Sequence, residues 1–249
     1  MRVLFIDSGI GGLSTLAETC KLSPKFNFVY FADDKYAPYG NKSKNFLRNR
    51  ILSIIKSFNN KIDLVVLACN TATTNAIDFL RKHTQTKIIG TEPAIKVAAN
   101  QSTNVLMIAT PLTAKSKRLR VLSKQLNIKL KILALPHLAK HINDYYLQAK
   151  QHSLEKINKT INKIAKKAAD CDTIVLGCTH YCLIKDKLAN KTNATIIDGN
   201  FGVAKQVAQN VKHTGASFGQ KQFIVSSGIV ELEKKYAKIF KTLANSNDI

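Results

Sequence analysis

One pattern occurs twice in this chain: a run of apolar residues that ends in a cysteine. Residues 62–72 read Ile-Asp-Leu-Val-Val-Leu-Ala-Cys-Asn-Thr-Ala, and residues 171–181 read Cys-Asp-Thr-Ile-Val-Leu-Gly-Cys-Thr-His-Tyr. Short runs of this kind, bounded by polar residues, are typical of strands that are buried on both faces of a parallel sheet. Because a helix start follows each run, we expect Cys69 and Cys178 at the carboxyl ends of strands, where open α/β sheets bind ligands.

The expected position of the two cysteines also predicts how their thiols ionise. A helix amino terminus presents free N–H groups and the positive end of the helix dipole, and both favour an anion. We therefore expect the thiols of Cys69 and Cys178, whose usual pKa is about 8.5, to be shifted toward thiolate. Two activated thiols in similar structural settings suggest proton transfer to and from opposite sides of a substrate.

Strand-like runs alternate with helix-like segments along the chain. The predicted strands are Arg2–Asp7, Asn27–Ala32, Ile62–Ala68, Thr86–Gly90, Asn104–Ala109, Lys129–Ala134, Asp172–Gly177, Ala194–Ile197 and Gln222–Val225. The predicted helices include Lys44–Phe58, Thr71–Lys82, Thr113–Leu126, Leu154–Ala169 and Phe201–Val211. This alternation predicts an α/β fold in which helices cover parallel-rich sheets.

A second internal similarity indicates that the chain contains two related halves. Residues Val3–Ser8 resemble Val105–Thr110, and their separation agrees with that of the two cysteines to within a change of loop length. We therefore predict two similar α/β lobes that cross over near Gly90–Pro93. Their facing strand ends would form a cleft suited to a small molecule.

The charge is the most unusual bulk property: 38 Lys and Arg against 16 Asp and Glu give a formal net charge of +22. Such a balance makes nucleic acids and anionic surfaces candidate partners. The lysines are spread along the predicted helices, with one denser cluster at Lys115–Arg120. No nucleic-acid-binding motif accompanies them, so we interpret the charge as a solvated surface whose nucleic-acid contacts are at most nonspecific.

The sequence favours a cytoplasmic protein without membrane contact. No apolar stretch approaches the roughly 18 residues that span a bilayer. The first strand-like run reaches Asp7 and a glycine-rich loop too soon for a signal peptide. Five cysteines, an odd number without an export signal, indicate reduced thiols, and we expect Cys20 and Cys171 to be ordinary buried ones.

Two loops and one histidine add candidate groups. Residues Asp7–Gly12 form a glycine loop that could hold a carboxylate through Ser8 and nearby N–H groups, although the spacing fits no nucleotide-binding motif. The segment from Asp33 to Gly40, taken alone, is predicted to be a turn. His180 could activate a thiol, hold a substrate carboxylate or make a structural hydrogen bond. A zinc site is a further alternative, but it would need several ligands on one short turn.

Four motifs, in this order and spacing, resemble those of glutamate racemases in the aspartate/glutamate racemase family. They are Asp-Ser-Gly-x-Gly-Gly, Pro-Tyr-Gly, Ala-Cys-Asn-Thr-Ala and Gly-Cys-Thr-His-Tyr, and the resemblance covers essentially the whole chain. His180 distinguishes the resemblance to glutamate racemases from one to the related aspartate racemases, which usually carry Glu at this position. The resemblance implies two pseudo-symmetric Rossmann-like lobes with the active site between them, namely residues 1–91 plus 205–249 and residues 92–204, and a homodimer.

The resemblance also implies an activity: interconversion of L- and D-glutamate without a cofactor or metal, for peptidoglycan synthesis. Cys69 and Cys178 would be the acid/base pair, assisted by Asp7 and His180. Substrate would be bound by Asp7, Ser8, Tyr39, Gly40, Asn70, Thr71, Thr113, Thr179 and His180. This chain departs from the family pattern in having Cys182 in place of the usual Pro, and Asn143 followed by Asp144 where a Glu is frequent.

The chemistry agrees with this assignment. Inversion at a carbon that bears a proton requires removal on one face and return on the other, so two opposed acid/base groups are needed. The carbanion that develops requires a desolvated cleft and preorganised donors. Two alternatives stay open: a racemase for another acidic amino acid such as aspartate, and a basic protein that binds nucleic acid or gyrase on this scaffold.

Overall fold

A computed structural model describes residues 1–58, 61–126, 128–211 and 219–245 of the chain. The described residues form nine strands: β1 (Arg2–Asp7), β2 (Asn27–Ala32), β3 (Leu64–Leu67), β4 (Lys87–Gly90), β5 (Asn104–Ala109), β6 (Lys129–Ala134), β7 (Thr173–Gly177), β8 (Thr195–Ile197) and β9 (Lys221–Val225). Every predicted strand is present, with ends that shift by at most two residues.

Eleven α-helices connect and cover these strands within the described ranges. They are α1 (Gly12–Leu22), α2 (Lys44–Ser57), α3 (Asn70–His83), α4 (Ile95–Ala99), α5 (Pro111–Ala114), α6 (Lys117–Lys124), α7 (Leu138–Gln148), α8 (Gln151–Lys167), α9 (Lys185–Ala189), α10 (Asn200–Asn210) and α11 (Val230–Asn245). Three 3₁₀ helices occupy Asp34–Tyr36, Tyr39–Asn41 and Thr179–Ile184. None of the helices in the described part of the chain is long and apolar enough to cross a membrane.

The strands form two separate sheets, and every pairing is parallel. The first sheet has the order β4-β3-β1-β2-β9, and the second has the order β6-β5-β7-β8. Side chains of β3 and β7 are buried along the whole length of each strand, as expected for strands with both faces covered. The predicted α/β fold with two lobes of parallel sheet is confirmed.

The pairing of the central strands explains the internal repeat. β1 lies at the centre of the first sheet beside β3, and β5 occupies the equivalent place beside β7 in the second sheet. Ser8 and Thr110 therefore follow equivalent central strands, while Cys69 and Cys178 follow the equivalent neighbours. Because parallel strands end at the same sheet edge, each sheet presents one hydroxyl and one thiol at its carboxyl edge.

One predicted helix is divided in the structure. The segment 113–126 was predicted as a single helix, but α5 ends at Ala114 and α6 begins at Lys117. The backbone of Ser116 is extended, and its hydroxyl accepts a hydrogen bond from the Leu119 N–H, so Ser116 caps a new helix. The break leaves Thr113 in a short helix directly after β5, where its side chain is fully buried.

The C-terminal segment completes the first lobe. β9 pairs with β2, and α11 packs against α1 and against the first sheet. Aromatic side chains fill this interface: the rings of Tyr30 and Tyr236 lie 6.1 Å apart, and those of Phe28 and Phe240 lie 5.7 Å apart. Such offset and edge-on ring contacts add to the stability that burial of their apolar surface provides.

Candidate active site

Cys69 lies between β3 and α3, at the predicted strand-to-helix junction. Its side chain is 6% exposed. The backbone N–H groups of Thr71 and Ala72 and the Thr71 hydroxyl lie close enough to the thiol to favour its ionised form and lower its pKa. These donors belong to the first turn of α3, which leaves them without partners inside the helix. The helix start is therefore aimed at the sulfur.

Cys178 occupies the equivalent position after β7, and it is also 6% exposed. A 3₁₀ turn, Thr179–Ile184, follows it instead of an α-helix and leads into α9. The backbone N–H of His180, in this turn, favours the ionised form of the Cys178 thiol and lowers its pKa. The two cysteine sites thus share their placement, but Cys178 faces a tighter turn.

Burial reverses the predicted ionisation of both thiols. Burial, together with the nearby Asp7, raises the pKa of Cys69 to about 12 against the opposing effect of the helix N–H donors. The pKa of Cys178 is also raised well above its usual value by burial, with a contribution from Cys69. The prediction that the thiols are shifted toward thiolate is wrong, because loss of hydration outweighs the helix dipole.

Asp7 links the two sheet edges. Its carboxylate is fully buried at the end of β1 and accepts hydrogen bonds from the Gly9 N–H at 2.7 Å and from the Thr179 hydroxyl at 3.0 Å. Thr179 directly follows Cys178, so this bond joins the Asp7 side of the cleft to the opposite side. Burial raises the pKa of Asp7 to about 7 even though these donors favour the ionised form.

Three threonine hydroxyls form a second link across the cleft. Thr71 at the start of α3 lies 2.9 Å from Thr110 and 3.1 Å from Thr113, measured between hydroxyl oxygens. All three side chains are buried. Thr71 and Thr113 were predicted from the resemblance, whereas Thr110 was missed. The internal repeat could have identified Thr110 as a site residue, because Thr110 is the counterpart of Ser8.

The loop that carries Tyr39 and Gly40 is anchored by a buried ion pair. Arg50 donates two hydrogen bonds to Asp33, at 2.9 and 2.6 Å, and the Tyr39 hydroxyl donates a third at 2.8 Å. A Cβ at Gly40 would lie 2.9 Å from the Cβ of Thr110, so glycine permits the close approach of this loop. The segment predicted as a plain turn is thus held in place by specific side-chain contacts. The sequence analysis did not predict this role for Asp33 and Arg50.

Asn70, Ser8 and His180 are the remaining predicted site residues, and they also lie next to strand ends. Asn70 donates from its amide to the Thr91 carbonyl at 3.3 Å, which ties α3 to the segment between the lobes. Ser8 and His180 are buried and line a cavity of about 200 Å³ together with Asn143. Burial lowers the pKa of His180 to about 4, so its imidazole is neutral near pH 7. Asp7 ends β1, and the other eight predicted substrate-binding residues lie in segments that follow strand ends; that they bind substrate stays a prediction.

The zinc alternative finds no support. Among the described residues, no group of three His, Cys, Asp or Glu side chains is arranged to hold a metal ion. The third nearby thiol, Cys182, accepts a hydrogen bond at 3.4 Å from the amide of Asn200, whose oxygen in turn accepts from Thr15 at 2.7 Å. Cys182 thus lies in a packed contact with α10 and α1.

The protein has two α/β lobes, and each lobe places one buried thiol at the carboxyl edge of its parallel sheet. Hydroxyl and N–H donors surround these thiols. This arrangement is suited to proton transfer at a carbon atom from two sides. A family model described as Asp/Glu/Hydantoin racemase matches residues 31–207. The chain belongs to this family and is an amino-acid racemase.

Curated relatives align over nearly the whole chain. The glutamate racemase of Clostridium botulinum (strain Alaska E43 / Type E3) is 36% identical and covers 93% of this chain and 95% of its own length. Glutamate racemase 2 of Bacillus subtilis (strain 168) is 34% identical, with coverage of 98% and 96%.

Solved structures show the same fold. The Escherichia coli glutamate racemase, crystallised with L-glutamate and the activator UDP-MurNAc-ala, superposes with a TM-score of 0.85 at 25% identity and covers 97% of this chain and 94% of its own. An aspartate racemase from Picrophilus torridus superposes with a TM-score of 0.57 at 20% identity over 84% of this chain and 94% of its own. The second similarity concerns the fold alone.

Proposed function

We propose that this chain interconverts L- and D-glutamate by moving the α-proton between Cys69 and Cys178 without a cofactor. The observation that carries the proposal is the pair of buried thiols at equivalent strand ends of two facing sheets. The two thiols are near enough for Cys69 to contribute to the raised pKa of Cys178. A single base could remove a proton, but inversion requires a donor on the opposite face.

The raised thiol pKa serves this chemistry. The α-proton of an amino acid is far less acidic than a thiol, so a thiolate with an elevated pKa, once formed, is the stronger base. The substrate ammonium group would bring the positive charge that allows one thiol to ionise in a desolvated cleft. The other cysteine stays protonated and donates to the carbanion.

We assign supporting roles by position. Asp7 would assist Cys69, since its charge acts on that thiol, and His180 would assist Cys178, whose ionised form the His180 backbone N–H favours. Donors at the two helix starts would hold the substrate carboxylates and stabilise the developing charge. The substrate-binding set is Asp7, Ser8, Tyr39, Gly40, Asn70, Thr71, Thr113, Thr179 and His180.

We favour glutamate over aspartate as substrate. The relatives that align over almost the full chain at 34–36% identity are glutamate racemases. The structural similarity to an aspartate racemase is weaker and extends to the fold only. The product D-glutamate would supply peptidoglycan synthesis in the cytoplasm. The five free cysteines support that location, because reducing compartments maintain thiols.

The predicted lobe boundaries remain a proposal, namely residues 1–91 plus 205–249 and residues 92–204. The pairing of β9 with β2 supports a C-terminal return to the first lobe. Helix α10 crosses the boundary at 204/205, and Asn200 in its first turn accepts a hydrogen bond from Thr15 of α1. This contact favours counting all of α10 with the first lobe.

We also propose that the chain forms a homodimer. Support comes from large apolar side chains on the surface of α4 and α10, where Val97 is 49% and Phe201 is 59% exposed. Sedimentation velocity would give the mass of the particle in solution. A dimer that Phe201→Asp converts to a monomer is expected, and a monomeric wild-type protein at micromolar concentration would contradict the proposal.

Chiral chromatography tests the activity directly. The purified chain is incubated with L-glutamate, D-glutamate or L-aspartate in buffer that contains EDTA and no pyridoxal phosphate. We expect either glutamate enantiomer to approach an equal mixture, and aspartate to react far more slowly. Activity that depends on added cofactor or metal, or that prefers aspartate, would contradict the proposed function.

A further inference from the structure

Asn143 lies at a junction of three elements beside the thiols. It belongs to α7, and its side-chain oxygen lies 3.3 Å from the backbone nitrogen of Ile10 and 3.2 Å from Nε2 of His180. Ile10 is part of the glycine loop after β1, and His180 is part of the 3₁₀ turn after β7. One amide oxygen of α7 therefore contacts the segments that follow the carboxyl ends of both sheets.

These contacts fix the orientation of the amide. The Ile10 N–H can only donate, so the atom of Asn143 that faces it must be the carbonyl oxygen. The opposite orientation would place the amide NH₂ against this donor. Since the same oxygen faces Nε2 of His180, that ring nitrogen must carry the hydrogen.

The position of the other ring nitrogen follows. In a neutral imidazole with a hydrogen on Nε2, Nδ1 holds a lone pair. A Cβ at Gly11 would lie 2.5 Å from Nδ1 of His180 and 2.7 Å from the hydroxyl oxygen of Thr179. Nδ1 therefore lies against the glycine loop and Thr179, at the turn that begins with Cys178.

We propose that Asn143 is a positioning residue that holds His180 as a neutral imidazole protonated at Nε2, which leaves Nδ1 as the only basic ring position beside the turn of Cys178. The proposal rests on the proposed function, and it specifies how the Cys178 side of the site differs from the Cys69 side. On this side the assisting group is a neutral ring, whereas Asp7 on the other side is an acid.

The side chain at position 143 determines which protonation state of His180 is favoured. A carbonyl oxygen accepts a hydrogen bond from the ring without adding charge, so burial keeps the ring neutral. A carboxylate of the same shape would favour the doubly protonated ring. Asn143→Asp is therefore expected to convert His180 into a cation and to change the charge beside Cys178.

Other ionisable groups near His180 require a measurement on the ring itself. Asp144 follows Asn143 on α7 and forms an ion pair with Lys140, and Asp7 accepts from the neighbouring Thr179. The ionisable and charged groups on the elements around His180 are Asp7, Asp34, Lys140, Asp144, Cys178 and Cys182. A pH profile of activity alone would not distinguish the titration of His180 from the titration of these groups.

Long-range ¹H–¹⁵N NMR of protein labelled with ¹⁵N-histidine reports the protonation of each ring nitrogen. The His180 signals are identified by their loss in His180→Gln. We expect the wild-type ring to be neutral and protonated at Nε2 from pH 8 to pH 5.5. In Asn143→Asp we expect the ring to be doubly protonated at pH 6, while Asn162→Asp, an exposed position on α8, should match the wild type.

Activity supplies the second readout. The two enantiomers have equal energy, so kcat/KM must be the same in both directions at every pH, and one profile suffices. Asn143→Asp should lower kcat/KM at pH 6 by about tenfold or more and shift the profile, whereas Asn162→Asp should do neither. Circular dichroism verifies that each variant is folded.

The outcomes separate this proposal from the proposed function. A wild-type His180 that is protonated at Nδ1 or carries two protons at pH 7 would overturn it, as would an unchanged ring titration in Asn143→Asp. The NMR result decides this question even if the chain does not racemise glutamate, because it measures the ring and not turnover.

Discussion

Burial controls the ionisation of the candidate residues more strongly than any single charged neighbour. It raises the pKa of Cys69 to about 12 and of Asp7 to about 7, and it lowers that of His180 to about 4. Each shift favours the uncharged form of the group, as expected in a desolvated cleft. Without substrate, the thiols are therefore protonated and the imidazole of His180 is neutral near pH 7.

The first prediction concerns the two thiols. Cys69→Ala and Cys178→Ala should each reduce racemisation by at least about 100-fold, because inversion needs an acid/base group on both faces. Cys171→Ala is the matched control, since Cys171 is also buried, at 9% exposure, but lies at the opposite end of β7. Initial rates with L-glutamate measure the effect. Substantial racemisation in either of the first two variants would show that the pair was misassigned.

The second prediction concerns the stability contributed by Asp7. Its folded-state pKa of about 7 lies above the usual 3.8, so the folded state binds the proton more tightly. Stability linked to this proton is present at pH 4 and is lost as the pH rises toward 7. The difference corresponds to about 4 kcal/mol as an upper value.

Urea unfolding of Asp7→Asn and wild type at pH 4 and pH 8 tests this sign. We expect the variant to gain stability relative to wild type at pH 8 and to lose that advantage at pH 4, while racemisation falls. Glu155→Gln, at an exposed position on α8, controls for the loss of one negative charge. An Asp7→Asn variant that is less stable than wild type at pH 8 would contradict the assigned burial cost.

The sequence reveals some site residues more readily than others. Cys69 and Cys178 end buried runs that recur, so their placement followed from local pattern. Thr110 could have been found as the repeat partner of Ser8. The Asp33–Arg50 ion pair could not be found in this way, because it joins the end of β2 to the second turn of α2, and no local pattern encodes that contact.

At the scale of elements, strand positions were predictable and helix breaks were not. The apolar runs fixed all nine strands to within two residues, because burial on both faces leaves a continuous signal. The division between α5 and α6 depends on the Ser116 cap, which competes with an otherwise helical pattern. Similarly, the 3₁₀ turn after Cys178 replaced the expected α-helix start.

The third prediction concerns how closely the glycine loop approaches the Cys178 turn. A Cβ at Gly11 would lie 2.5 Å from both the backbone nitrogen and Nδ1 of His180, so Gly11→Ala must displace the turn. We expect a loss of about 1–3 kcal/mol in unfolding free energy and at least about a tenfold loss of racemisation.

Gly202→Ala is the matched control. It lies within α10, and a Cβ there meets nothing within 4 Å. Because alanine favours a helix over glycine, this variant should gain about 0.5–1 kcal/mol and keep full activity. Thermal unfolding and initial rates compare the two variants. Equal behaviour of Gly11→Ala and Gly202→Ala would argue against the tight contact.

At the scale of the whole molecule, two sheets present their carboxyl edges to one cleft. The internal repeat predicted this arrangement, because duplicated halves repeat the strand order around a central strand. The contacts that join the halves were not predictable from either half. They include the hydrogen bond from Thr179 to Asp7 and the ion pair of Arg118 in α6 with Asp78 of α3.

The Arg118 contacts correct one interpretation of the charge. The cluster Lys115–Arg120 was interpreted as a solvated surface, but Arg118 bridges α6 to α3 at 3.1 Å from Asp78. Arg118→Gln therefore removes a contact between the lobes, although an exposed pair of this kind contributes only about 0.2–1 kcal/mol. Tests of the surface charge should leave Arg118 in place.

The fourth prediction uses Lys117→Gln with Arg120→Gln. If the net charge of +22 acts only through the phosphate backbone, DNA binding should be weak, should fall steeply between low and physiological salt, and should weaken further in this double variant. Racemisation should stay within about twofold of wild type. Fluorescence anisotropy with a labelled duplex measures binding. Sequence-specific binding that persists at physiological salt would instead favour a nucleic-acid-binding function.

The central claim is that Cys69 and Cys178 act on opposite faces of one carbon, and hydrogen exchange at that carbon tests it most directly. Racemisation of L-glutamate in D₂O is followed at early times by proton NMR after separation of the enantiomers. With two bases, the D-glutamate formed should carry solvent deuterium at the α-carbon while the remaining L-glutamate keeps its proton, and the reverse reaction should behave alike. D-glutamate that retains the original α-proton would contradict the account.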